Sequence, residues 1–278
     1  MKRIFVLLLF AAVIVPSYAY NAQDSIRIES LLASARLMKD KSQRVLYFGR
    51  QFAGTPYVAH TLDRNKEESL VINTRELDCT TFVETVVALT LCSERGETHF
   101  RDFCRQLQNI RYRGGAVGYT TRLHYFTDWA EDNQKMGFVK KIETKKAPFT
   151  AVQHVNVNYM SQHSSAYTML AAHPNWLPAI KRMEQNISGR TYRYIPKSAI
   201  KNTKLLRSTI HDGDIIAIIT NKKGLDTTHL GIASWKKDGL HLLNASQIYG
   251  KVIEDPVLFS TYMKKHPVQI GIRICRIQ

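Results

Sequence analysis

The chain has 278 residues and carries 39 lysines and arginines against 23 aspartates and glutamates, a formal net charge of +16. That length supports one large domain or two small ones with ample core, and four cysteines are too few for a disulfide scaffold. The charge either favours polyanionic partners or only keeps the chain soluble; nucleic acid is not indicated, because the basic residues are spread without a concentrated arm.

The chain opens as a secretory leader: Lys2 and Arg3, the apolar run IFVLLLFAAVIV, then Pro16 with Ser17 and Ala19 flanking Tyr18. Cleavage is expected after Ala19. The run is shorter than the ~20 apolar residues of a membrane span, and polar NAQDS follows at once, so no transmembrane anchor is expected after cleavage. The expected organisation is a signal peptide at 1–19 and a single domain at 20–278, with an elaborated middle segment at about 105–200.

Residues 24–53 predict two helices. Ile28, Leu31, Leu32, Ala35 and Met38 recur at helical spacing, and a second segment starts at Ser42 and stops at Gly54, with Pro56 beyond. A third helix spans Thr80 to Leu91, with Phe82, Val83, Val86 and Leu89 as its apolar stripe. Gly114, Gly115 and Gly118 mark a turn that lacks the Gly-Lys-Ser/Thr ending of a phosphate-cradling loop. Leu123, Phe126 and Ala130 suggest a helix over 121–134, while 138–200 is mixed in pattern. From residue 214 the character changes: DIIAIIT, HLGIAS, LHLLNAS and QIGIRICRI are β-branched runs, the first three separated by the turns NKKG and KKDG, which predicts an antiparallel meander. Helices first and strands afterwards make an α+β fold with segregated layers.

Asp78-Cys79-Thr80-Thr81 lies where a loop turns into the third helix. A helix N-terminus presents unpaired N–H groups and partial positive charge, which favour a thiolate. Thr81 to Glu84 also forms a capping-box pattern that would start the helix two residues later. A cysteine alone is as readily a small buried hydrophobe. Its candidate partner is His229, one of ten histidines, which starts a strand with Leu230 and Ile232 on the opposite face, leaving the imidazole free to face a cleft. The residue that orients His229 is either Asn244, on the next strand, or Asp226, nearer in sequence but on the other face if both are in the strand. Cys92 and Cys104 read as packing cysteines or a disulfide. Cys275 has no base placed near it.

GTPYV at 54–58, DCTTFVE at 78–84, DGDIIAI at 212–218, HLGIA at 229–233 and NAS at 244–246 together resemble, in the same order, the NlpC-type cell-wall hydrolases, a papain-like cysteine peptidase superfamily. LDCTTFVETVVAL, TTRLHYFTDWAEDN, GLDTTHLGIA and HLLNASQ are similar more specifically to its N-acetylmuramoyl-L-alanine amidase-like branch, over nearly the whole chain after the leader. The resemblance implies a papain-like fold in which N-terminal helices, the nucleophile helix among them, pack on a C-terminal antiparallel sheet. It implies Cys79 as nucleophile and His229 as base, with Tyr57 and Asp78 beside the nucleophile and Tyr57 able to help bind the oxyanion. Asn244 falls where many relatives carry histidine, a departure that changes the orienting group but keeps a hydrogen-bond acceptor. Tyr119, Arg122, His124, Tyr125 and Trp129 match a segment expected to line the substrate cleft, and Arg122, Tyr125 and Trp129 have the spacing of one helical face.

The implied reaction is cysteine-dependent hydrolysis of the amide between N-acetylmuramic acid and L-alanine, in peptidoglycan or in muropeptide fragments. Two alternatives stand: cleavage of the γ-D-glutamyl to diamino acid bond in the stem peptide, and a non-catalytic wall-binding protein of the same fold. Neither metal nor cofactor is expected, since the chain lacks HExxH and paired CxxC spacing. The expected protein is an exported monomer, periplasmic or extracellular, with no nucleic acid partner.

Overall fold

The computed structural model describes residues 18–278. The leader expected at 1–19 therefore lies outside the described residues, apart from Tyr18 and Ala19. These two form β1 (Tyr18–Ala19), which pairs in parallel with β2 (Leu70–Val71), and the carbonyl of Ala19 accepts from Ile72 N at 2.9 Å. Cleavage after Ala19 would remove this short strand with the leader.

Side-chain caps open the first helices. Asn21 and Asp24 form a capping box at α1 (Ala22–Ala35), and Asp40 caps α2 (Lys41–Gln51), close to the two helices read from the sequence. The next is α3 (Cys79–Glu94), in which every residue from Thr81 to Cys92 is buried, so its apolar residues face neighbours all round rather than along one stripe. Then follow α4 (Phe100–Arg111), which the sequence reading passed over, and α5 (Phe126–Lys135). The helix expected over 121–134 begins only at Phe126, because residues 121–123 are held by other contacts: Tyr112 bridges to Arg122, and Leu123 N donates to the carbonyl of Arg111.

The middle segment resolves into β3 (Val139–Ile142), β4 (Ala151–His154), the short helices α6 (Tyr159–Gln162) and α7 (Thr168–Ala172), α8 (Leu177–Ile187) and β5 (Thr191–Pro196). After α9 (Lys204–Thr209) come β6 (Ile215–Thr220), β7 (Thr227–Trp235), β8 (Leu240–Ser246), β9 (Lys251–Glu254), α10 (Phe259–Lys264) and β10 (Gln269–Ile277). Eight strands form an antiparallel sheet in the order β4-β5-β10-β6-β7-β8-β9, with β3 also on β10.

The run β6 to β8 follows the expected meander and is continued by β9, which the sequence reading passed over, while β10 does not extend it. It returns to the far side of β6 and becomes a central strand, as its composition allows: Ile272 and Ile274 enter the core on one face, Cys275 and Ile277 the core on the other. On the face of Ile272 and Ile274, Ile218, Leu240 and Leu242 pack with α9 and α10; on the face of Cys275 and Ile277, Leu230, Ile232, Leu243 and Ala245 pack with α1 to α4. Helices thus cover both faces of this mixed α+β sheet, rather than one as the order of elements suggested. A third, smaller core belongs to the middle segment, where Tyr119 and Tyr125 meet Val155, Met160, Ile180 and Ile187. No helix among the described residues is long and apolar enough to cross a membrane.

Candidate active site

Cys79 is the first helical residue of α3. Asp78 is its N-cap: the carboxylate accepts from Thr81 N at 2.8 Å, and the Thr81 hydroxyl in turn accepts from Asp78 N at 2.9 Å. The competing cap starting at Thr81 is not used, because Glu84 is buried and accepts from Arg111 Nε at 2.7 Å. Burial, and the negative charge of Asp78, push the Cys79 thiol up to about 11, while the N–H groups of Leu230 and of Cys79 itself point at the sulfur and favour its ionised form. The helix N-terminus acts in the same direction as those N–H groups.

Tyr57 comes from a separate loop, near enough to Cys79 for the charge of its thiolate to act on the phenol. Its N–H donates to the carbonyl of Gly250, and the stretch bridges in parallel to Leu77, just ahead of the cysteine. Burial and the neighbouring Cys79 and Asp78 raise its phenol to about 12, so it stays a hydrogen-bond donor at any physiological pH.

His229 stands near the start of β7, beside an irregularity in the pairing: His229 lies opposite Ile218, but Thr227 lies opposite Ile219, so Thr228 is an extra residue. Such a bulge re-aims a side chain. His229 Nε2 lies 2.9 Å from Asn244 Oδ1, and the Asn244 amide donates to the carbonyls of Leu242 at 3.2 Å and Ile253 at 3.5 Å, which fixes its oxygen toward the ring. Nε2 therefore carries the proton and Nδ1 is the free base. Burial lowers the pKa of His229 below the usual imidazole value; the Asn244 bond opposes this and the charge of His266 adds to it.

Gly231 makes the pair possible. Continuing the β7/β8 register places Asn244 opposite Gly231, diagonal to His229. A Cβ at 231 would stand 2.7 Å from Leu242 Cδ1 and 3.1 Å from Asn244 Cβ, in the path between the amide and the ring. Asp226, the other candidate for the orienting role, is engaged elsewhere: its carboxylate accepts from Thr127 N at 2.6 Å, in the first turn of α5.

Cys79 and His229 line one cleft of about 170 Å³. His124 and Trp129 line it as well, with Phe126, Thr80, Thr227 and Thr228. The pair Thr227 and Thr228, directly ahead of His229, could have been picked from the string DTTHLG. Tyr262 comes close enough to Cys79 for the charge of its thiolate to act on the phenol, and His266 close enough to act on His229; no sequence signal announced them, since α10 arrives through tertiary packing. His124 Nε2 lies 2.8 Å from the carbonyl of Tyr119, and burial together with the charge of Arg122 lowers its pKa to about 3, so it is a neutral wall of the cleft.

Tyr119, Arg122 and Tyr125 are not among the lining residues. Arg122 is buried, donating to Asp63 at 2.8 Å and Glu68 at 2.7 Å, with Tyr119 stacked against it; the Tyr125 hydroxyl donates to Glu184 and accepts from Met160 N. The expected common face with Trp129 is lost because Arg122 and Tyr125 precede the helix. All four cysteines are free, and Cys92, Cys104 and Cys275 are buried packing residues. No cluster of three or more metal-binding side chains occurs among the described residues.

The model of the N-acetylmuramoyl-L-alanine amidase-like (AmiA-like) family matches residues 47–272. An N-acetylmuramoyl-L-alanine amidase from Bacteroides uniformis is 38% identical in its crystal structure, with a TM-score of 0.79 over 86% of this chain and 99% of its own. A Bacteroides fragilis protein with the provisional name of a xylanase is 39% identical, with a TM-score of 0.77 over 83% of this chain and 99% of its own. A Legionella pneumophila protein is 26% identical, with a TM-score of 0.73 over 92% and 94%. No curated protein matches the chain significantly. A match that runs from Tyr47 to Ile272 takes in α3, the middle segment and the sheet, and the chain belongs to the N-acetylmuramoyl-L-alanine amidase-like family.

Proposed function

We propose that the chain is an exported, monomeric cysteine amidase on the papain-like, NlpC-type plan, which hydrolyses the amide between N-acetylmuramic acid and L-alanine in peptidoglycan fragments. The observation that carries this reading is the meeting of Cys79, at the head of α3, with the Asn244-held His229 in one cleft. With the thiol's pKa near 11 and the imidazole's below its usual value, both groups are neutral at rest. The nucleophile is thus made during the reaction. His229 Nδ1 takes the thiol proton as the sulfur attacks the lactyl carbonyl, and the oxyanion is held by N–H groups at the helix start and the Tyr57 hydroxyl. The protonated imidazole then gives its proton to the leaving nitrogen of L-alanine, forming a thioester. A water deprotonated by His229 attacks the thioester, releasing the acid and restoring the thiol.

The glycosidase suggested by one neighbour's name is not favoured, since that chemistry uses two carboxyl groups flanking the bond and the cleft lining contains no aspartate or glutamate. Incubation of the purified protein with muropeptides, followed by mass spectrometry, tests the proposal. Free sugar and intact stem peptide are expected. A cut within the stem would assign the endopeptidase activity, and unchanged substrate would assign a binding role.

A further inference from the structure

A second cavity, of about 500 Å³, opens at the same end of the sheet as the cleft, where β6 ends, β7 begins and β10 begins. Besides the Thr220 hydroxyl, its polar lining consists of Lys222, Lys223, His154 and the amides of Gln153, Asn156, Asn158 and Asn221, with no aspartate or glutamate. Gln153 forms part of it and is tied down on both sides. Its Nε2 donates to the carbonyl of Asp226 at 2.7 Å, and its Oε1 accepts from Arg273 Nη1 at 3.4 Å.

Arg273 is 5% exposed, lies 3.8 Å from the Tyr192 ring centroid, and has no carboxylate within ion-pair distance among the described residues. Its Nη2 makes no hydrogen bond. The buried cation behind Gln153 adds to the positive potential of the exposed lysines, and being buried it is screened less than they are.

We infer that this groove binds the carboxylate-bearing end of the stem peptide, on the leaving-group side of the scissile bond. The inference rests on the amidase reading for its direction. His229 protonates the departing nitrogen, so the peptide leaves along the His229 side of the cleft, and Gly224 and Leu225 of the groove precede Thr227 of the cleft in the chain, with only Asp226 between. Three residues of chain span at most about 11 Å, and a stem of three or four residues reaches about 10–14 Å when extended. A peptide attached at the cleft therefore carries its terminal carboxylates to Lys222 and Lys223, while the exposed amides of Asn156, Asn158 and Asn221 meet its backbone.

The test compares cleavage of the N-acetylmuramoyl tetrapeptide with that of N-acetylmuramoyl-L-alanine amide, and calorimetric binding of the sugar-free tetrapeptide, for wild type, Lys222→Glu/Lys223→Glu and Lys222→Arg/Lys223→Arg. Wild type should prefer the tetrapeptide substrate through KM. The glutamate pair should cut that preference and the tetrapeptide affinity by about five- to tenfold, as expected of two exposed charge contacts. The arginine pair should preserve both, and added salt should erode them. Equal slowing of both substrates, or an unaltered preference, overturns the inference. Loss of binding to an intact anionic wall polymer with normal tetrapeptide binding also overturns it and assigns the lysines to the polymer. If wild type cleaves neither substrate but binds the tetrapeptide through the lysines, the groove stands and the amidase reading falls.

Discussion

Helix α3 with its two facing strands, and the middle segment between residues 112 and 200, solve different problems. In the first region each functional side chain is placed by local backbone rules. Asp78 caps α3 and so puts Cys79 at its head; the bulge at Thr228 turns His229; the gap at Gly231 lets Asn244 reach it. In the second, placement depends on partners far away in the chain. Arg122 is held by Asp63 and Glu68, Tyr125 by Glu184, and α5 starts where Asp226 meets its first turn. The first kind of order survives loss of a reacting group, while the second fails when one partner is removed. Substitutions separate the two.

Cys79→Ala should give the largest effect, a loss of turnover of at least about a thousandfold, with the thermal midpoint retained because the side chain is small and only half-buried. His229→Ala should cost about 10²–10⁴-fold, as expected for loss of a general base. Asn244→Ala should cost less, since it orients the ring without moving a proton. Steady-state kinetics on a muropeptide read all three. A severe Asp226→Ala beside a silent Asn244→Ala would transfer the orienting role to Asp226.

Arg122→Ala should act on stability. It strands two carboxylates, on Asp63 and Glu68, that share one buried cation, and breaking such a buried pair costs about 3–5 kcal/mol. Thermal or urea unfolding should show the loss, with the remaining folded enzyme close to wild type in activity. A stable Arg122→Ala protein that fails only on sugar-bearing substrates would restore the sugar contact that the sequence suggested.

The smallest effect is the shape of the pH profile. His229 must be neutral to act as base, and its pKa is lowered, so activity should persist below the usual imidazole range and fall only as pH drops through that depressed value. With the thiol near 11, no second limb should appear around neutrality. A bell centred near pH 7 in kcat/KM would instead indicate a resting thiolate–imidazolium pair. Such a profile would make the first region depend on charge pairing, as the second does.

Local pattern was enough to read α1, α2, α3 and the strands β6, β7, β8 and β10, because their caps, apolar spacing and turns all lie within a few residues of one another. The same locality brought Cys79 and His229 to attention and left Asn244 and Asp226 as alternatives; the resemblance of the motifs set Asn244 beside them. Sequence could not decide the start of α5, the return of β10 beside β6, the arrival of Tyr262 and His266 near the cleft, or the fate of Arg122 and Tyr125. Helical spacing states only which residues could share a face. Whether they do depended on a buried arginine finding two carboxylates 54 and 59 positions away, a tyrosine reaching a glutamate 59 positions on, and an aspartate reaching a helix start 99 positions back. Those pairings are set by desolvation and charge in the closed tertiary structure, and short-range pattern carries no trace of them.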